Sequence, residues 1–409
     1  MVQAQSTVDG RILDQRFKGI EDVFRLSSIH FRSLALEGPL RAFRENFAMG
    51  LESAGACFAV YHNGHLVVDL WGGVQNRDTG QPWTEHTMTV MFSTTKSIAS
   101  TILAMVMDQE GVPYSRKVSE FWPEFGKNGK QDVTIMNVVL HQAGLPYTDQ
   151  VVTKEDVADW RRMSTYFENA TPVWTPGTET GYHALTFGFL LDQIVRRIDS
   201  SHRGLNDILK AIIDKHEIAD LSIGLRHPGD NDRVAALQYP GDLQMEAEAR
   251  RDPEVLRRWN AGDNEHHKRL YDTWPWITTD EYNAFENRLL PMPSNMGIGN
   301  ARSLAHFHSL IAERKAFSEA FYKHFEQPLL VNNFDCVIGY EESKGCGFQF
   351  TTNSKGQWIF GHSGFGGQNV RVDIHNGLSY AYMCNGLKIS DADHVEPWRR
   401  LVDKLYSLV

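Results

Sequence analysis

Met91-Phe92-Ser93-Thr94-Thr95-Lys96-Ser97-Ile98 decides how this chain is read. Apolar residues at Ile98, Ile102, Met105 and Val106 recur at helical spacing, so the tetrad Ser93-Thr94-Thr95-Lys96 stands at the start of an apolar helix. Positions i and i+3 share a helix face, which brings the Lys96 amine toward the Ser93 hydroxyl. The helix N-terminus favours negative charge developing beside it. A serine hydroxyl is a weak nucleophile until a base takes its proton, and a lysine shielded from water has the depressed pKa that base needs. By itself the tetrad is weak evidence. About one chance Ser-x-x-Lys is expected in a chain of this length at ordinary residue usage, and a capping serine before a surface lysine is the plainer reading.

Working outward, strands lie at both ends. Leu40, Phe43 and Phe47 predict a short helix ending near Gly50, after a polar lead-in. Cys57 to Tyr61 and Leu66 to Trp71 flank Asn63-Gly64, a two-residue hairpin signal. The same grammar returns in Phe348 to Phe350, Trp358 to Phe360, Val370 to Ile374 and Leu378 to Cys384, the last two flanking Asn376-Gly377. Trp398, Leu401, Val402 and Leu405 predict a closing amphipathic helix. Between these ends the pattern is helical, as in Phe187/Leu190/Ile194 and Leu304/Phe307/Ile311. The expectation is an α+β fold, with an antiparallel sheet flanked by terminal helices and a mainly helical insertion that leaves a cleft between them. Residues 38–92 and 327–409 are assigned to the sheet domain, 93–326 to the helical one, and 1–37 to an N-terminal extension. The charged stretch from His227 to Trp274 reads as a surface excursion that either overhangs the cleft or merely connects.

Three short motifs occur in order: Ser93-x-x-Lys96, then Tyr182 in Thr180-Gly181-Tyr182-His183-Ala184, then Gly361-His362-Ser363-Gly364. In order and spacing they resemble the motifs of penicillin-binding proteins and class C β-lactamases. Asp69-Leu70-Trp71-Gly72-Gly73, Pro82-Trp83, Leu140-His141-Gln142-Ala143-Gly144-Leu145 and Asn385-Gly386-Leu387 look like the β-lactamase-related serine hydrolases and the esterases with a β-lactamase/transpeptidase-like fold. The resemblance spans residues 38–409. It implies Ser93 as the acyl-accepting nucleophile, Lys96 as its proton partner, and Tyr182 as phenolate or hydrogen-bond relay. It also implies an oxyanion hole from the backbone N–H groups of Ser93 and Phe365. His183, Ser363 and Gly364 are expected at the substrate, Gly364 for close substrate approach. His362 stands where those enzymes carry lysine and Ala184 where many carry Asn or Ser. A largely neutral histidine weakens the hold on a substrate carboxylate, which turns the expectation from β-lactams toward small esters or amides.

Composition agrees with an ordinary globular protein. The chain has 409 residues, and 41 basic against 51 acidic side chains give a net charge of −10, which disfavours nucleic acid and anionic membrane as partners. No stretch of about 18 apolar residues suggests a membrane span. Cys57, Cys336, Cys346 and Cys384 have no C-x-x-C pair and read as buried free thiols. With no signal-peptide pattern, the compartment expected is the cytoplasm rather than the exterior; a mitochondrial leader is the remaining alternative, against which Asp9, Asp14 and Glu21 count. Glu265-His266-His267 lacks zinc-site spacing and reads as a solvated face, and Gly297-Ile298-Gly299 as a turn before a helix capped by Asn300. Neither a metal nor an organic cofactor is implied, and the partner is a small acyl substrate; oligomeric state is left open. A fold retained for binding or assembly after catalysis has lapsed, a serine peptidase and an acyltransferase are the competing readings.

Overall fold

The computed structural model describes residues 8–13 and 39–409. A ten-stranded antiparallel sheet runs in the order β1-β3-β2-β13-β12-β11-β10-β9-β8, with β4 paired on β3. Its N-terminal strands are β1 (Val8–Ile12), β2 (Gly55–His62), β3 (His65–Asn76) and β4 (Gln81–Pro82). Its C-terminal strands are β8 (Leu330–Asp335), β9 (Tyr340–Gly345), β10 (Phe348–Thr352), β11 (Trp358–Ser363), β12 (Asn369–Asp373) and β13 (Leu378–Cys384). Asn63 and Gly64 both have positive φ, 48° and 76°, which turns β2 into β3 within two residues.

The sheet is covered on both faces, and side-chain alternation sorts the cover. Phe58, Val60, Leu70, Tyr380 and Tyr382 meet Leu40 and Phe43 of the Pro39–Ala48 helix and Trp398, Leu401 and Leu405 of the Glu396–Tyr406 helix. Cys57, Ala59, Tyr61, Val370, Val372 and Ala381 face the helical half. A strand buried on both sides has no polar face, which is why β2 is buried almost throughout. Truncating a ring such as Trp398 is expected to cost about 3–5 kcal/mol on cavity formation.

Three expectations change. The assigned extension 1–37 is not wholly separate, because Val8–Ile12 pairs antiparallel with Val68–Gly72 as an edge strand; the rest of that segment lies outside the described residues. The helix Ala301–Ala312, grouped by sequence with the insertion, packs on the sheet: Ser379 Oγ donates to Ala305 O and the Tyr61 and His306 rings stack at 4.8 Å. Gly297–Gly299 is not a turn but β7, the centre of a three-stranded sheet between β5 (Thr89–Val90) and β6 (Leu221–Ile223). A Cβ on Gly297 would lie 2.6 Å from Thr95 Oγ1 and one on Gly299 2.4 Å from Asp220 O, so the glycines permit close approach of neighbouring segments. Asn300 does cap the following helix, accepting from Ser303 N–H. The four cysteines are free, but Cys336 is only half-buried.

The charged excursion folds into helices Asp242–Arg251, Pro253–Ala261 and Glu265–Thr273, fastened at several points. Gln238 and the Asn385–Leu387 segment exchange backbone hydrogen bonds of 2.8 Å, Glu248 accepts from Ile389 and Ser390 N–H, and Asn264 Nδ2 donates to Val337 O. His266 is half-buried beside the Tyr147 hydroxyl, 3.3 Å away, with its ring 6.2 Å from Trp174. The expected solvated face is therefore a packed one. Charge density along a sequence does not reveal which side of each short helix will dock.

Candidate active site

The Thr95–Glu110 helix begins beneath the end of β11, and the turn before it carries Ser93. Met91 N–H donates to Gly297 O, and Gly297 N–H in turn to Thr95 Oγ1, so β7 fixes the turn from below. Phe92, immediately before Ser93, sits at φ +46°, a left-handed conformation that costs a non-glycine residue of order 1–3 kcal/mol. Its buried ring, 4.8 Å from Tyr282 and 5.5 Å from Phe365, holds it there.

Lys96 is fully buried. Its Nζ lies 3.1 Å from Ser93 Oγ, 2.7 Å from Ala184 O and 3.1 Å from Ser294 O. Burial, with no carboxylate to offset it, holds the amine well below its usual range. A neutral amine at this position can give its two N–H groups to the two carbonyls and keep its lone pair for the Ser93 hydroxyl. Ala184 thus contributes through its backbone, and Ser294 is a residue that sequence reasoning missed. Ser294 Oγ is itself tied to Leu185 O and Gly188 N–H, so the carbonyl is rigidly placed.

Tyr182 brings its ring to 4.8 Å from Lys96 Nζ and 6.1 Å from the His362 ring. Burial pushes its phenol up, and only a hydrogen bond with Ser93 works the other way. The phenolate form expected as one option is therefore disfavoured. Its position is set by Asp335, whose Oδ1 accepts from Tyr182 N–H at 2.9 Å while Oδ2 takes the buried Lys344 amine at 2.5 Å. Asp335 and Lys344 were not singled out in the sequence, since β9 reads there as a polar run, Tyr340-Glu341-Glu342-Ser343-Lys344.

The structure also reassigns His183, expected at the substrate. It is fully buried, with Nε2 accepting from Leu145 N–H and Nδ1 at 2.7 Å from Gly181 O, so neither ring nitrogen is free. His141 accepts from His183 N–H through Nδ1 and from Gly181 N–H through its carbonyl. The Leu140–Leu145 motif is thus a cradle for the Tyr182 loop.

His362 is buried, and burial together with Lys96 holds its imidazole well below the usual range. Its Nδ1 lies 2.6 Å from Ser363 O, so the neutral ring carries the proton on Nδ1 and leaves Nε2 as an acceptor. The Ser363 hydroxyl and N–H both donate to Gln349 Oε1, at 3.0 and 2.8 Å, and Gln349 Nε2 donates to Glu342. Ser363 was expected at the substrate, yet a side chain of β10 already occupies its donors. Gly364 is adjacent, but a Cβ there would lie 2.4 Å from Met91 O and 2.7 Å from Thr94 Oγ1. Its first task is packing β11 against the Ser93 turn rather than admitting substrate. Gly364→Ala is expected to lower unfolding free energy by about 1–3 kcal/mol in denaturant titration and to displace Ser93. Among the described residues, the N–H groups of Ser93 and Phe365 have no backbone acceptor.

The fold has counterparts. The Beta-lactamase family matches residues 43–404. The chain belongs to the β-lactamase family. It is 33% identical over 209 residues to an esterase/beta-lactamase, LipL, of Mycobacterium tuberculosis, a match covering 51% of this chain and 48% of that protein. A beta-lactamase of Providencia stuartii is 24% identical over 129 residues, 32% of this chain and 31% of the relative. The chain thus spans about half or less of the curated relatives it matches. Among solved structures, a family VIII carboxylesterase superposes with TM-score 0.80 at 25% identity, covering 98% of this chain and 100% of that one. A penicillin-binding protein homolog from Caulobacter crescentus does so with TM-score 0.77 at 27% identity, again 98% and 100%. The expected β-lactamase/transpeptidase-like fold is the one observed. No helix among the described residues is long and apolar enough to cross a membrane.

Proposed function

We propose that this protein is a serine acyl hydrolase that forms an acyl-enzyme on Ser93 and acts on small neutral esters or amides, with weak or no turnover of β-lactams. The observation that carries the reading is the desolvated Lys96 amine, 3.1 Å from Ser93 Oγ and anchored by two carbonyls. Ser93 Oγ attacks the substrate carbonyl carbon as its proton passes to Lys96 Nζ. The oxygen that becomes negative is met by the N–H groups of Ser93 and Phe365 at a helix N-terminus. Tyr182 gives its phenolic proton to the leaving oxygen or nitrogen and is reprotonated from the Lys96 ammonium. Water then repeats the sequence on the acyl-enzyme, its proton leaving through the same pair, and the acid departs.

The preference for neutral substrates rests on charge. His362 is neutral, Ser363 is engaged by Gln349, and behind Gln349 stands Glu342, so a substrate carboxylate would find neither a fixed cation nor a free hydroxyl there. The family VIII carboxylesterase neighbour supports ester chemistry, while the LipL relative carries both esterase and beta-lactamase in its name. Intact-protein mass after a fluorophosphonate probe, followed by p-nitrophenyl esters and a chromogenic cephalosporin, tests the reading. A single adduct on Ser93 and faster ester turnover are expected. No adduct on folded protein would favour a binding or assembly role, and faster cephalosporin turnover would overturn the substrate preference. Gln349→Ala is expected to release Ser363 and raise cephalosporin relative to ester kcat/KM by roughly fivefold to tenfold, the size of one ordinary hydrogen bond; an unchanged ratio would remove Gln349 from the account.

A further inference from the structure

Beside the oxyanion donors the surface is aromatic. Phe365, 37% exposed, is at the centre, its ring 5.5 Å from Phe92, 6.4 Å from Tyr239 and 6.3 Å from Trp259. Tyr239 and Trp259 are themselves 37% and 41% exposed. These rings come from separate parts of the chain: the turn before Ser93, the segment entering the excursion, the Pro253–Ala261 helix, and the residue after Gly364. Side chains of this size normally bury most of their surface, and their gathering, half-exposed, beside a reactive serine is not needed to close the core.

The shelf is held in place rather than hanging. Gln238, next to Tyr239, is paired with the Asn385–Leu387 segment, and Leu387 packs where a Cβ on Gly366 would fall. Arg258, next to Trp259, turns its guanidinium away, onto the Tyr340 ring at 4.4 Å and toward Asp391 at 3.5 Å. The charge closest in sequence is therefore engaged elsewhere. Phe365 links the two features, since its N–H is the proposed oxyanion donor and its ring is the floor of the shelf. Whatever substituent adjoins the bound carbonyl on that side meets aromatic faces.

We propose that Phe365, Tyr239 and Trp259 form an acyl-binding shelf that selects neutral esters whose acyl group is apolar and bulky, aryl or branched alkyl, over acetyl esters. The inference rests on the Ser93 hydrolase reading and adds the substrate class. Tyr182 serves the leaving group, so the acyl substituent is the part left to the shelf.

The test keeps the leaving group constant and varies the acyl group: p-nitrophenyl phenylacetate against p-nitrophenyl acetate, in the wild type, Trp259→Ala, Tyr239→Ala and the double variant. The wild type is expected to prefer phenylacetate in kcat/KM. The double variant is expected to lose roughly tenfold of that preference, through a raised KM for phenylacetate. Trp259→Phe, which keeps a ring, should retain most of it. Fluorophosphonate labelling of Ser93 at the wild-type rate shows that each variant is folded and reactive. No preference in the wild type, or a preference untouched in labelled variants, overturns the shelf. A response to the alcohol portion instead, read with phenyl and methyl butyrate, overturns its assignment to the acyl group. Absence of labelling in the wild type is a different failure, that of the hydrolase reading itself.

Discussion

Ser93→Ala is expected to lower kcat for ester hydrolysis by roughly 10⁴–10⁶-fold, the scale seen when a nucleophile is removed from a site whose members act as a unit. The loss should be chemical rather than structural. Ser93 is half-buried at a turn whose own hydrogen bonds run through backbone and Thr95, with Thr94, Thr95 and Lys96 N–H donating to Met91, Phe92 and Ser93 carbonyls. None of these needs the Ser93 hydroxyl. The variant should keep its melting temperature, lose all fluorophosphonate adduct, and still bind substrate, because the proposed oxyanion donors are backbone groups. Retained labelling at another residue would refute Ser93 as nucleophile. Cys57, the thiol nearest the Ala301 N–H, is no rival, since burial pushes it up to about 12.

Lys96→Ala should cut kcat by roughly 10²–10⁴-fold with a small effect on KM, the usual worth of a positioned proton acceptor. The pH profile gives the sharper test. An amine at its ordinary value of 10.5 would be neutral in only about one molecule in 3,000 at pH 7, too few for an efficient base. Desolvation lowers that value, and each tenfold change in proton affinity changes the neutral fraction tenfold. The active form is the neutral amine, so kcat/KM should fall as pH drops through the depressed Lys96 pKa and level off above it. Tyr182 is shifted up, so no alkaline limb from its ionisation is expected below about pH 10. Burial and Lys96 shift His362 down, so it contributes no limb at or above its ordinary value. Lys96→Ala should flatten the acid limb. A limb of unchanged shape in the slow variant would assign it to another group.

The readings of the sequence that held best concern local pattern. The Asn63-Gly64 turn, the β11 to β13 strands and the terminal amphipathic helices are written in period-2 and period-3.6 patterns, and a protein with both sheet faces covered has little freedom to place them otherwise. Among the strands that the sequence reading did not place, β8 and β9 carry Asn332-Asn333 and Glu341-Glu342-Ser343-Lys344. Lys344 is buried because it meets Asp335 across from β9 to β8 and Glu342 two residues before it on its own strand. A buried charge looks polar in a sequence and becomes interior only once its partner is in place. The excursion and the Gly297–Gly299 strand were misread for a related reason: what they pack against lies far away in the chain.

By itself the sequence determined which groups are available, a serine and a lysine one helical turn apart, a tyrosine, a histidine where a lysine was expected, and the strand and helix periods that carry them. Tertiary structure alone decided their chemical state. It placed Lys96 between two carbonyls away from water, spent both nitrogens of His183 on the backbone, and gave the Ser363 hydroxyl to Gln349. It also brought Tyr239 and Trp259 beside Phe365. The physical reason is that identity and spacing are fixed by covalent order, whereas desolvation, hydrogen-bond satisfaction and proton affinity depend on neighbours that only folding brings within reach.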